Sequence, residues 1–410
     1  MTFYKRLGTF ALGYALTMSA AMAGELVLNS DHSDPVPKKA MEELIADFQT
    51  KYPDIKVKWN NFDHEGYKSA IRNFLTADAP DVVAWYAGNR MEPFVKAGLF
   101  EDVSDLWKEN GLDEQLKSTS TSMTIDGKKW GVPYTYYQWG IYYRADIFKE
   151  KGIEPPKTWA ELIAACEKLK ADGITPFAIG TKALWPTGGW FDYLDLRVNG
   201  YEFHMDLTSG KVPYTDPKVK AVFEKWGELV KPGYFLANHA ALDWQDAIPQ
   251  FVQGKAAMYL MGNFAAAPMK DGGLKEEQIG FLQFPEITPG IPVSEEAPTD
   301  TFHIPSGAKN KEDAKKFLAY LATPEVQTKM NATLGQLPVN NKATKPDDKF
   351  LNAGFEIVSK AHAISQFYDR DAPADMAKAG MEGFQEFMVK PDKVDAILTR
   401  LDKVRARAYK

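Results

Sequence analysis

At 410 residues, with 45% apolar and 25% charged residues, the chain has the composition of a folded globular protein. It is too long for one ordinary core, so two domains are expected. A formal charge of −6 disfavours nucleic acid and acidic membrane surfaces as partners.

The chain opens with Lys5 and Arg6, an apolar run from Phe10 to Ala21, and Ala21-Met22-Ala23. The run is short for a bilayer span and the last three residues fit a small-x-small cleavage rule, so residues 1–23 read as a secretory leader. Losing its two basic residues leaves the exported chain more negative still. Cys166, the single cysteine, cannot form an internal disulfide. Its place on the apolar side of a predicted helix reads as a buried, inert thiol.

After the leader, strand and helix signals alternate. Leu26 to Asn29 reads as a strand and Asp31 to Pro35 as a polar loop. Val36, Ala40, Met41, Leu44, Ile45 and Phe48 then recur at helical spacing. Ile55, Val57 and Trp59 alternate as a second strand, followed by the loop Phe62 to Gly66 and a helix marked by Tyr67, Ile71, Phe74 and Leu75. Asp81 to Trp85 is a third strand. A β-α-β-α-β run implies parallel strands with right-handed crossovers, and ligands bind beyond the carboxyl ends of such strands. Those ends carry Asp31 to Asp34, Asp63-His64, and Trp85 to Asn89.

Residues 126–144 turn at Asp126-Gly127, run as a strand to Pro133, and resume as a strand at Gly140. The link between is rich in aromatics, which suggests a crossing that is also a binding surface. A second unit follows. Thr158-Trp159-Ala160-Glu161 is a capping box opening a helix to about Ala171. Pro176 to Gly180 reads as a strand, Thr181 to Phe191 as a loop, Ala256 to Met261 and Ile279 to Phe284 as strands. Residues 285–298, rich in proline and acids, read as another crossing. A strand at Thr301 to Ile304, helices at about 311–322 and 324–331, and a mostly helical tail interrupted at Asp369 to Pro373 complete the chain.

Motifs for catalysis are missing: there is no GxSxG, GxxxxGK or HExxH pattern. The six histidines are scattered without metal-ligand spacing, so neither metal nor cofactor is expected. Plentiful Asp and Glu leave a glycosidase-like carboxylate pair open, but abundance alone is no signal.

Six segments in order carry a family resemblance: Phe48 to Ile55, Ala79 to Trp85, Asp126 to Arg144, Pro156 to Leu162, Gly254 to Met258, and Ile304 to Asn310. Together they resemble the family 1 extracellular solute-binding proteins, the sugar receptors of bacterial ABC importers, of which maltose-binding protein is the best known. The resemblance implies an α/β fold of two lobes, each a mostly parallel sheet flanked by helices, joined by a hinge. Residues 25–138 with 290–340 would form one lobe, and residues 139–289 with 341–410 the other. It further implies a periplasmic, monomeric, non-catalytic receptor that closes on a sugar and presents it to membrane permease subunits.

A sugar offers hydroxyls at its rim and C–H groups on its faces, so its site needs short polar groups and flat aromatics. Candidates at the strand ends of the first lobe are His32, Asp34, Asp63, His64, Trp85, Tyr86 and Asn89. At the crossing they are Tyr136 and Trp139, either of which could instead plug the hinge. In the second lobe they are Trp185, Trp190, Asn263 and Phe264, and on the returns Asp300, Thr301 and Arg370. Arg370 reads either as a fork for an anionic group or as a cation neutralised by Asp369 and Asp371. An exported carbohydrate-active enzyme, a receptor for a non-sugar solute and a surface adhesin remain the competing readings.

Overall fold

The computed structural model describes residues 25–409, so the leader and its cleavage after Ala23 lie outside the described residues. Strand β1 (Glu25–Ser30) lies between β2 (Lys56–Asn61) and β3 (Val82–Tyr86), parallel to both. The helix Pro35–Lys51 connects β1 to β2 and buries Ala40, Met41, Leu44, Ile45 and Phe48, the residues whose spacing predicts it. Pro35 opens this helix, where a missing N–H costs nothing. The helix His64–Thr76 connects β2 to β3, and the Asp63 side chain caps it by accepting from the Gly66 amide at 2.8 Å.

A small hairpin follows, β4 (Thr124–Ile125) and β5 (Lys128–Lys129), turning at Asp126-Gly127 with φ of 51° and 73°. Two consecutive left-handed residues match the twist of a tight hairpin, which explains the Asp-Gly pair. Strand β6 (Val132–Tyr136) then enters the first sheet, and β7 (Trp139–Arg144) begins a second. Only Tyr137-Gln138 separates them. The aromatic link expected from Tyr134 onward is therefore largely strand.

The second sheet contains β7, β8 (Thr175–Phe177), β9 (Ala256–Gly262) and β10 (Ile279–Leu282), in the order β10-β7-β9-β8. Two short strands, β11 (Glu295–Glu296) and β14 (Ile364–Ser365), pair in parallel. Between them in sequence, β12 (Thr299–His303) and β13 (Leu337–Pro338) return to the first sheet, whose order is β13-β6-β12-β3-β1-β2. Both sheets are mixed. Strand β12 runs antiparallel to β3 and β6, and β7 antiparallel to β9 and β10.

Two expectations hold only in part. Of residues 181–191 only 181–184 are loop: a buried helix spans Trp185–Val198. Pro186 falls in its first turn, where proline is tolerated, and Gly188-Gly189 are there for close packing. A Cβ on Gly189 would stand 3.0 Å from the Trp139 ring and 3.3 Å from Phe367. The helical tail is interrupted at Ala372-Pro373, within the expected stretch, and also earlier, between the helices Lys349–Lys360 and Tyr368–Asp371. The Thr158–Glu161 capping box forms as expected, opening the helix Trp159–Ala171.

The apolar residues gather into two separate cores, one around each sheet. The first includes Leu28, Phe48, Tyr67, Trp107, Phe302 and Phe317. The second includes Tyr142, Phe191, Trp226, Tyr259 and Phe384, and takes in the C-terminal helices Ala374–Val389 and Val394–Ala408. Cys166 is fully buried in the second core, and burial holds its thiol well above the usual range.

Candidate functional site

Pairing directions bring particular strand ends together. The carboxyl ends of β1, β2, β3 and β6 share an edge of the first sheet with the start of β12, where Tyr86 faces Asp300. In the second sheet the start of β7 lies beside the end of β9, with Trp139 opposite Gly262. Because only two residues join β6 to β7, these edges adjoin. The residues beyond them form a polar wall and an aromatic wall.

The polar wall is built on Asp31, the first residue after β1. Its carboxylate meets His64 Nδ1 at 2.8 Å and accepts from the Tyr86 hydroxyl at 3.2 Å. Burial pushes this carboxyl up, but the hydrogen bond and charge of His64, with His32 beside it, hold it well below the usual range. His32 is buried, bonded through Nε2 to the Tyr134 hydroxyl at 2.8 Å and stacked on Phe302. Burial lowers its pKa against the pull of Asp31, and its ring is a strut under the wall. Asp34 is exposed and accepts from the Gln245 side chain at 3.2 Å.

Arg370 stands where the two walls join. Its guanidinium lies 3.0 Å from Asp300, donates to the Tyr137 hydroxyl at 2.6 Å and to the Thr299 carbonyl at 3.4 Å, and sits 4.1 Å over the Tyr86 ring. The acids beside it in sequence, Asp369 and Asp371, act on Arg370 through charge without pairing directly with it. Asp369 faces Lys68 at 3.7 Å, and Asp371 accepts from the Gln366 amide at 3.0 Å. Asn89 donates to the Asp371 carbonyl at 2.6 Å, tying this segment to the end of β3.

The aromatic wall comprises Trp139, Trp185, Trp244, Phe264 and Phe367. Phe264 meets Trp244, Trp185 and Trp139 edge-on at centroid distances of 5.2, 6.3 and 6.1 Å, and Tyr137 at 5.4 Å. Phe264, Trp185 and Trp244 are half-buried, so their rings keep free surface. Trp139 is 2% exposed and packs on Phe367 at 4.9 Å. It backs the wall.

Several expected contact residues lie away from this junction. Trp190 is enclosed by Phe177, Phe235 and Phe284 in the second core. Trp85 packs against Tyr67 and Phe94, and its indole donates to the Arg90 carbonyl at 3.0 Å. Thr301 is buried against His303 at 2.6 Å. Tyr136 packs on the first core, and burial pushes its phenol up to about 12. Asp63 is a helix cap. Asn263 is buried and holds Gln138, its amide donating to the Gln138 carbonyl at 3.1 Å. Residues not singled out from sequence include Asp31, Tyr137, Trp244, Gln245 and Phe367. Asp31 and Tyr137 adjoin candidates. Trp244 and Gln245 come from a stretch with no strand-end signal of its own.

Such a junction can stack a flat apolar face on aromatic rings and accept hydrogen bonds from its rim. Among the described residues, no group of three or more His, Cys, Asp or Glu side chains is arranged to hold a metal ion.

Residues 33–328 match the model of the bacterial extracellular solute-binding protein family. The chain is 31% identical over 314 residues to an uncharacterized ABC transporter extracellular-binding protein of Pyrococcus horikoshii, covering 75% of this chain and 69% of that one. It is 26% identical over 363 residues to the multiple sugar-binding protein of Streptococcus mutans, covering 85% of each. Its fold is similar to that of the bacterial solute receptor AcbH, whose substrate preference is for β-D-galactopyranose. The TM-score is 0.88 at 29% identity, over 95% of this chain and 100% of that one. This chain belongs to the bacterial extracellular solute-binding protein family, the non-enzymatic receptors of ABC transporters.

Proposed function

We propose that this extracellular solute-binding protein captures a sugar or sugar derivative between two lobes and delivers it to the permease subunits of an ABC importer in the membrane. One observation carries the reading. Half-buried Trp185, Trp244 and Phe264 stand beside a wall of carboxylates where the two sheets adjoin. Pyranoses have apolar C–H faces that stack on such rings and hydroxyl rims that donate to such acceptors. Relatives that bind sugars support it.

In this reading the lobes are residues 25–138 with 290–340 and residues 139–289 with 341–410, each around its own core. The hinge comprises Tyr137-Gln138 and the later returns of the chain. His64, Asp34, Tyr86, Asp300, Trp185 and Phe264 are the proposed contacts among the sequence candidates, joined by Asp31 and Trp244. Trp190, Trp85 and Thr301 are left out because they pack inside their lobes. The leader directs a monomer to the periplasm. Micromolar affinity corresponds to about −8 kcal/mol, within reach of a small buried sugar.

The test is mass spectrometry of ligand released from freshly purified protein, with thermal-shift screening of a sugar library. A sugar in the released fraction and a matching rise in melting temperature are expected. Peptide or polyamine in place of sugar would overturn the reading.

A further inference from the structure

Behind the junction, the carboxyls Asp192, Asp195, Glu295, Glu296 and Asp371 are buried together with the cations Arg197 and His204. Fully ionised, the acids would outnumber the cations and leave uncompensated negative charge in the interior. Burial of that kind drives a carboxyl to keep its proton.

The donors around each acid show which one keeps it. Glu295 receives the Arg197 guanidinium at 2.5 Å, the Gln283 side chain at 2.8 Å and the Tyr193 hydroxyl at 2.9 Å. Asp195 receives the Asn199 side chain at 2.7 Å and His204 Nδ1 at 3.0 Å. Asp371 receives the Gln366 backbone amide at 3.0 Å. Asp192 Oδ2 receives the Tyr368 backbone amide at 2.6 Å, but its Oδ1 has no donor, with His204 Nε2 standing off at 3.8 Å. Neither oxygen of Glu296 has a donor. The Asp192 and Glu296 carboxyls are within hydrogen-bonding reach of each other. One proton on Glu296 turns two unpartnered acceptors into a donor and an acceptor.

The pair touches both later crossings of the chain. Asp192 belongs to the helix Trp185–Val198, and Glu296 to β11, just before β12 returns to the first sheet. Strand β11 is laced to β14 through the Glu295 and Ala297 amides, at 3.0 and 3.1 Å from the Ala363 and Ser365 carbonyls. Tyr368, held by Asp192, follows β14. One carboxylate therefore grips β11 on one oxygen and the chain after β14 on the other. Arg370 beyond them is paired with Asp300. Burial keeps the phenols of Tyr193, Tyr214 and Tyr368 protonated. None of the charged residues on the helices Pro217–Val230, Lys349–Lys360 and Ala374–Val389, which pack on this helix and strand, is buried.

We infer that Asp192 and Glu296 share one proton, and that this proton is a pH-sensitive clasp fastening both crossings to the helix Trp185–Val198. When it leaves, two carboxylates face each other in the interior and the crossings loosen. Burial holds both carboxyls above their ordinary range, so the clasp is closed at neutral pH and opens as the solution turns alkaline. It goes beyond the sugar reading and holds whatever the ligand is.

Hydrogen exchange read by mass spectrometry on the mature protein, corrected for intrinsic exchange, measures protection of residues 293–298 and 363–369 at pH 6.5 and pH 9. Wild-type protection there should fall by roughly tenfold or more. In Glu296→Gln, whose amide donates to Asp192 at either pH, it should hold. His204 is the same in both proteins, so an equal fall in the variant assigns the effect to His204 and overturns the clasp. Unchanged wild-type protection overturns it too. A second readout needs no variant: the infrared carbonyl band of a protonated carboxylic acid should be present in the wild type at pH 6.5 and diminish by pH 9. A spectrum without that band at pH 6.5 overturns the inference.

Discussion

The Asp34 carboxylate, at the start of the helix after β1, accepts a hydrogen bond at 3.2 Å from Gln245, in the helix Trp244–Val252 of the second unit. The two residues are 211 positions apart and their helices pack on different cores, so the contact exists only while the lobes are close. Such a bond, solvent-exposed at both ends, contributes modestly. Gln245→Ala should speed ligand release by roughly twofold to fivefold and leave melting of the unliganded protein unchanged. Stopped-flow tryptophan fluorescence measures the rate, and an unchanged rate would show that the contact does not hold the closed state.

Trp139 and Trp185 meet edge-on at 5.9 Å yet should respond oppositely to truncation. Trp139 is enclosed by Phe367 and by Gly189, whose missing side chain makes room for it. Trp139→Ala leaves a large cavity and should lower unfolding stability by about 3–5 kcal/mol. Trp185 keeps free surface. Trp185→Ala should cost little stability and weaken sugar binding by roughly tenfold or more, about 1.4 kcal/mol. Paired denaturation and calorimetry decide it. Binding lost through Trp139 with stability intact would reverse the assignment.

The difference between these two tryptophans marks how far the sequence was legible. Periodicity found β1 to β3 and their helices because each pattern is local, and the strand-end rule then led to Asp34, His64 and Tyr86. Trp185 was reached, but as part of a loop, because Pro186 and the two glycines mimic loop composition. Their reason lies in another element, the Trp139 ring. Trp190, five residues on, looked equivalent and points into the core. A helix turns successive residues to different faces, and an unrecognised helix hides that. Gln245 carried no signal and Trp244 could be core or site: only tertiary closure carries them to Asp34 and Phe264. Asp300, the partner of Arg370 at 3.0 Å, carried no signal for that role because it arrives on a returning strand.

Gly354, in the helix Lys349–Lys360, should be as intolerant as any core position. A Cβ there would overlap the Gln138 side chain. Gln138 is half of the link between β6 and β7; its main-chain carbonyl accepts from the Asn263 backbone amide at 3.1 Å, and its buried side chain donates to the Phe350 carbonyl and accepts from the Asn263 side-chain amide, both at 3.4 Å. Alanine should gain helix propensity of about 1 kcal/mol, but the clash with a fixed, buried group should reverse that to a net loss of about 1–3 kcal/mol. Adding Gln138→Ala should recover part of the loss, and a double-mutant cycle measures the coupling. Strict additivity would mean that the two residues do not contend for the same space.

Stability should fall as pH rises from 6.5 to 9, because of a buried charge cluster behind the junction. His204 is fully buried, 3.0 Å from Asp195 and 3.8 Å from Asp192. Burial alone would lower its pKa, but the two carboxylates overcome this and carry it up to about 9. Burial holds Asp192 above the usual carboxylate range, burial with Asp192 beside it holds Glu296 well above that range, and burial pushes Asp371 up to about 6. All of these groups bind protons more tightly folded than unfolded. The contribution of His204 is complete below its unfolded pKa of about 6.5 and is lost as pH climbs through about 9. The acids contribute in the same direction, so none of them offsets the fall. The His204 contribution falls by on the order of 2–3 kcal/mol across this window, and His32, His239 and His303, whose folded pKa values burial lowers, return a smaller part of it between about pH 6.5 and 7.5, so the melting temperature is lower at pH 9 than at pH 7.5. His204→Gln should melt lower at pH 6.5 and show a flatter pH dependence. A wild-type melting temperature that holds steady or rises toward pH 9 would show that this cluster does not bind its protons more tightly in the folded state.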